Sequence, residues 1–65
     1  MKLNINKINI IKAEKGLNNT DIAELTGISR PWLSTVFNRE KVSPQIVHKL
    51  AKGLNVEVSE ILLNE

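Results

Sequence analysis

The sequence contains no cysteine, and in a chain of only 65 residues that absence removes most of the ways a small fold can be stapled together. No disulfide framework and no thiolate metal site can form. A chain this short buries only about 60% of the surface its unfolded form exposes, so stability has to come from one modest core packed by helices. The material for that core is present. Hydrophobic residues make up 42% of the chain against 25% charged, and aliphatic side chains dominate, with Trp32 and Phe37 as the two aromatics. Such a mixture is globular rather than disordered. The lack of thiols fits a reducing cytoplasm, the expected location. Apolar runs are short, and Met1 is followed by Lys-Leu-Asn, so neither a signal peptide nor a membrane span is expected.

Helix punctuation recurs along the chain. The opening KLNINKINII alternates apolar and polar residues like a strand, yet Ile5, Ile8 and Ile11 also form a helical stripe. A helix is the reading adopted, capped by Asn4, finished by Lys12 and Lys15, and ended by Gly16 in a left-handed conformation. Its β-branched isoleucines are the local feature that opposes this assignment. Asn18 caps a second helix over residues 19–26, with Asp21 placed close to a capping-box arrangement, and Gly27 stops it. Ser29 caps a third helix with Pro31 in its first turn, where a missing amide hydrogen costs nothing, and Leu33, Val36 and Phe37 on its inner side. The polar NREK stretch, residues 38–41, reads as a loop. Ser43-Pro44 then opens a fourth helix with Ile46, Val47, Leu50, Ala51 and Leu54 on one face, ended by Asn55. Residues 56–63 predict a short fifth helix with Val58, Ile61 and Leu62 inward. The expected fold is therefore all-α, five short helices in a compact bundle. Its main core comprises Ile8, Ile11, Leu17, Ile22, Ala23, Leu25, Ile28, Leu33, Val36, Leu50 and Leu54.

The net charge of +2 is weak testimony for a polyanionic partner, but its distribution is uneven. Residues 1–41 carry seven Lys/Arg against four acids, whereas residues 42–65 carry two against three. Any nucleic-acid face therefore belongs to the first two-thirds of the chain.

Residues 19–38, NTDIAELTGISRPWLSTVFN, resemble the helix-turn-helix of the phage-repressor and Cro-like (lambda-repressor-like, XRE-type) family of bacterial regulators. The resemblance extends over nearly the whole chain, from Gly16-Leu17 to the terminal ILL. It rests on Ile22 and Ala23 in the first helix of the motif, Gly27 at the turn, Ile28 after it, and Leu33 and Val36 in the second. Each has a physical reason. Ala23 is small where the recognition helix crosses close by, Gly27 takes a conformation a side chain would strain, and the four larger residues wedge the two helices apart at a fixed angle. One match is cheap, whereas the full set at fixed spacing is specific. The competing reading is a helical bundle of another kind in which these are only core residues.

The resemblance implies one helix-turn-helix DNA-binding domain over residues 1–65, with the motif at helices two and three. By the same resemblance, Arg30, Pro31 and Thr35 fall where bases are read, with Ser34 near the same groove. These residues are small or hydrogen-bonding apart from the proline, which suits close approach to a major groove better than the Glu and Lys pairs of a merely solvated face. Arg30 is the candidate for a two-pronged contact to guanine, and Thr35 can offer its methyl to thymine. Asn19, Ser29, Trp32, Asn38, Arg39 and Lys41 fall where the DNA backbone is held. For each a plainer role stands beside it: a helix cap for Ser29 and for Asn19, where phosphate contact is favoured, packing against the first helix for Trp32, and a solvated loop for Asn38, Arg39 and Lys41. Two departures from the family pattern stand out. The glycine usual after the recognition helix is replaced by Asn38-Arg39, and Glu57 replaces the small polar cap usual before the last helix.

No constellation for catalysis, metal or cofactor is visible. His48 is the single histidine, near Lys49 and Lys52 rather than carboxylates, so a helix-surface or half-buried role is expected and not that of a ligand or base. The chain is thus expected to be non-enzymatic, and the resemblance implies a sequence-specific transcriptional regulator of phage or mobile-element type. Its partner is a double-stranded DNA operator, bound as a homodimer through Val58, Leu62 and Leu63. The alternative is a protein-interaction module of the same fold, an antirepressor or antitoxin acting on a partner repressor protein.

Overall fold

The computed structural model describes residues 1–39 and 41–63. Four α-helices follow one another along the chain: α1 (Ile5–Lys15), α2 (Asn19–Thr26), α3 (Arg30–Arg39) and α4 (Pro44–Leu54). A single 3-10 turn, Val58–Glu60, comes after them. The predicted fifth α-helix is therefore corrected to one turn, and the reason lies at its C-terminal end. The Glu60 carboxylate accepts the Glu57 N–H at 2.8 Å and closes the start, but the residues beyond the turn give their backbone groups to the other end of the chain.

That exchange also divides the opening segment, whose alternation fitted two periods. Residues 1–3 are extended. Lys2 forms an antiparallel bridge with Lys41, and Leu3 forms one with Leu62. The Val42 N–H donates to the Met1 carbonyl at 2.9 Å, the Leu63 N–H to the Lys2 carbonyl at 3.0 Å, and the Asn4 N–H to the Ile61 carbonyl at 2.9 Å. The helix starts only after Asn4, whose side chain accepts the Lys7 N–H at 3.1 Å as the predicted cap.

The other boundaries fall where the punctuation placed them. Asn18 and Asp21 form a complete capping box, with bonds of 2.8 and 3.0 Å. Gly27, at φ +75°, ends α2 in the left-handed region that a side chain would strain. Ser43 accepts the Ile46 N–H and Asn55 closes α4, also left-handed at φ 59°. One boundary moves. The third helix runs on through Asn38 and Arg39, which were read as loop, because neither Gly nor Pro interrupts it there and Arg39 in the last turn favours the helix dipole. Glu40, within the same NREK stretch, lies outside the described residues.

The core consists of Leu3, Ile8, Ile11, Ile22, Ile28, Leu33, Val36, Val47, Leu50, Ala51, Leu54 and Ile61, with Leu17 and Ala23 packed partly buried against it. Leu25, expected inside, is 55% exposed. At about 100° per residue, Ile22, Ala23 and Thr26 define the inner stripe of α2, and Leu25 falls about 60° outside its edge. Ile61, expected inward, is completely buried, and so is Leu3, which belonged to no expected inner face.

α4 comes close to α2 at Gly53. A Cβ there would lie 2.5 Å from the Thr26 methyl and 3.1 Å from the Leu25 carbonyl oxygen, so α4 and α2 touch backbone to backbone. Thr26 is itself pinned: its hydroxyl donates to the Ile22 carbonyl at 2.7 Å and accepts the Ile28 N–H at 3.2 Å. Those two bonds tie the end of α2 to the turn that launches α3.

Candidate nucleic-acid interface

The turn at Gly27 and the burial of Ile28, Leu33 and Val36 set α3 on the core and leave its opposite face open. Arg30, Pro31 and Ser34 are exposed on that face, and Thr35 is half-buried. The Thr35 hydroxyl donates to the Pro31 carbonyl at 3.2 Å, so it is engaged within the helix and its methyl is the group left to project. Asn19, the first residue of α2, joins this face. Together with Arg30, Pro31 and Ser34 it lines one open depression between the start of α2 and the first turns of α3.

The remaining candidates lie around this depression or further along α3. Ser29 caps α3 by accepting the Trp32 N–H at 3.3 Å, which leaves its own hydroxyl hydrogen available. Trp32 is 47% exposed, and the partly buried side chains packed on the core include Phe37 but not Trp32. That favours an outward role for the indole over packing against α1. Asn38 and Arg39 are exposed on the last turn of α3, while Lys41 is exposed beyond it and bridged to Lys2. The side chains at 30, 31 and 34 and Asn19 are thus brought together, whereas Asn38, Arg39 and Lys41 form a separate group at the far end of the same helix.

A helix-turn-helix with a small and hydrogen-bonding outer face is the arrangement that enters a major groove. The profile of the Cro/C1-type helix-turn-helix DNA-binding domain matches residues 7–63. The chain belongs to that family. It is a DNA-binding domain, and residues 1–6, with the extended segment that holds Leu3, precede the matched region. No curated protein and no solved structure matches the chain.

The rest of the Cro/C1-type domain offers little chemistry besides. His48 is exposed and shares an open groove between α2 and α4 with Leu25, Thr26, Lys49, Lys52 and Gly53, where no carboxylate faces it. Among the described residues no group of three or more His, Asp or Glu side chains could hold a metal ion, and no helix is long and apolar enough to cross a membrane. Two lysines that the sequence reading left aside stand next to candidate residues. Lys2 was hidden because its place depends on a bridge to Lys41 across the fold. Lys12 was read only as a helix-end charge, yet its ammonium donates to Asn19 Oδ1 at 2.9 Å.

Proposed function

We propose that this Cro/C1-type domain, as one unit over residues 1–65, is a sequence-specific, non-enzymatic transcriptional regulator of phage or mobile-element type. It binds an operator in the cytoplasm as a homodimer. The observation that carries this reading is the clustering of exposed Arg30, Pro31 and Ser34 with Asn19 around one open depression on the outer face of the motif.

Arg30, Pro31, Ser34 and Thr35 are the base-reading set. The Arg30 guanidinium has the fork geometry that matches guanine O6 and N7, Ser34 is small enough to let the helix approach, and the Thr35 methyl suits a thymine. Asn19, Ser29, Trp32, Asn38, Arg39 and Lys41 hold the DNA backbone, supplying donors to phosphate oxygens that fix register without reading sequence. One such helix reads only a few base pairs. Two related by a dyad reach half-sites about 34 Å apart, which is the reason for a dimer. Val58 and Leu62 are partly committed to the core, so of these three residues Leu63, 40% exposed, supplies the apolar surface left for that contact.

The test is titration of the purified protein against DNA from upstream of its own gene and against a scrambled duplex. Arg30→Ala should cost about 1–3 kcal/mol on the preferred site and much less on the scrambled one, because random sequence offers no guanine in register. Unchanged preference in that variant would remove Arg30 from the base-reading set. Binding that needs a second protein would move the function to the protein-interaction class.

A further inference from the structure

We propose that Lys12 is a positioning residue for DNA binding: it locks the Asn19 carboxamide with its NH2 group turned toward the DNA. The inference rests on the reading of Asn19 as a backbone contact and adds what makes that contact one-directional. Three helices meet here. Lys12 stands in the last turn of α1, Asn19 opens α2, and Phe37 lies on α3. The Lys12 ammonium donates to Asn19 Oδ1 at 2.9 Å and sits 5.9 Å from the centroid of the Phe37 ring.

The chemistry of the pair fixes its direction. A carboxamide carries an acceptor at one end and two donors at the other, and rotation by half a turn exchanges them. Phosphate oxygens only accept. An Asn19 free to rotate would present its own oxygen to phosphate part of the time, and ordering it would weaken binding. An ammonium has donors and no acceptor, so Lys12 can engage only Oδ1 and leaves Nδ2 for the depression shared with Arg30 and Ser34. The face of the Phe37 ring attracts the same cation and limits where the flexible lysine stem can place it. Lys12 is half-buried between these neighbours, whereas Asn19 is exposed.

The experiment uses a duplex selected from a randomised library by the wild-type protein. Titrations at several salt concentrations compare wild type, Lys12→Met, Lys12→Arg, Asn19→Ala, the Lys12→Met/Asn19→Ala double variant and Arg30→Ala, with thermal melting to verify folding. Lys12→Met should weaken binding roughly two- to threefold, the cost of ordering one carboxamide, and by less than Asn19→Ala, which removes the phosphate contact itself and should cost about tenfold. The double variant should bind no worse than Asn19→Ala, and Lys12→Arg, again a donor without an acceptor, should restore affinity. The logarithmic salt dependence should not change in Lys12→Met, because a lysine held on Asn19 releases no counterion. In the free protein the Asn19 side-chain amide NMR signals should shift in Lys12→Met and return toward wild type in Lys12→Arg.

A salt slope flattened by about one unit per bound subunit in Lys12→Met would overturn the proposal, since Lys12 would then touch phosphate itself. Additive losses in the double variant would overturn it as well. Full affinity in Asn19→Ala with a loss in Arg30→Ala would overturn both this proposal and the backbone role of Asn19 while leaving DNA reading in place. Failure to select any duplex would overturn the whole functional reading.

Discussion

The middle of the chain and its two ends are held by different kinds of interaction. Between Asn18 and Asn55 each helix begins on a nearby side-chain cap, and α2 and α4 end on a left-handed residue, all decided within four or five positions of sequence. The ends are tied by backbone hydrogen bonds between segments far apart: residues 1–3 lie antiparallel to both the Lys41 region and the Leu62 region. Local punctuation involves little loop closure, so it can be set by residue type alone. Pairing of the ends has to bring almost the full chain together, and its return is the burial of Leu3 and Ile61. A helical motif can thus be specified locally while the platform beneath it is specified by the whole molecule.

The sharpest way to break this comparison is to ask whether the ends are an accessory. Leu3→Ala should destabilise the domain by about 2–5 kcal/mol, as much as Leu50→Ala in the centre of α4, because both side chains are fully buried. Small domains have roughly 5–15 kcal/mol in total, so either variant leaves a marginal protein. Chemical denaturation measures both. A loss under about 1 kcal/mol for Leu3→Ala would mean that the ends peel away without disturbing the core.

The second largest effect is expected where α4 meets α2. Gly53→Ala gains helix propensity of up to about 1 kcal/mol, yet its Cβ would stand 2.5 Å from the Thr26 methyl. Thr26 cannot swing aside without breaking its bonds to Ile22 and Ile28. Overpacking of about 1–3 kcal/mol should win, giving a net loss near 1–2 kcal/mol. The double variant Gly53→Ala/Thr26→Ser, which removes the methyl and keeps the hydroxyl, should recover most of it. Greater stability in Gly53→Ala alone would show that the helices can separate freely.

The same contrast accounts for what could be read from the sequence. Asn4, Asn18, Gly27, Ser43 and Asn55 announce their boundaries because capping and left-handed turns select residue types. Arg30, Pro31 and Ser34 were legible as one face because they ride on a helix whose inner stripe was clear. Leu3 was not, because an extended tripeptide that pairs through its backbone leaves no periodic signal. Gly53 carries no such signal either, since nothing in its neighbours indicates that Thr26 crosses there. The misplaced end of α3 has the same origin: polarity suggested a loop at Asn38-Arg39, but a helix continues until something stops it.

A smaller effect tests the local half of the comparison. Asn18→Ala removes one side of the capping box and should cost about 1 kcal/mol, lowering Tm by roughly 4–8 °C. Because Asn18 stands next to Asn19, operator binding should be measured on the same sample. Equal loss of affinity on preferred and scrambled DNA would mean that Asn18 serves the backbone contact as well as the cap.

The smallest stability effect is expected where the two regions meet, at Lys41. Lys2 and Lys41 face one another in an antiparallel bridge, and residues directly opposite in such a pair project to the same side. Since the neighbouring Leu3 points into the core, that side is the solvent side. Like charges so placed repel by a few tenths of a kcal/mol, and salt screens them only partly at this range. Lys41→Gln should therefore raise stability slightly, by about 0.2–0.5 kcal/mol at low salt, with the gain fading as salt is added. On DNA the sign should reverse. If Lys41 holds a phosphate, the variant binds all sequences more weakly and its logarithmic salt dependence flattens by roughly one unit per subunit. Lys2→Gln should repeat the gain in stability. A Lys41→Gln protein that is less stable, or one that binds DNA as wild type does, would show that the bridge places this lysine for the fold and not for the phosphate backbone.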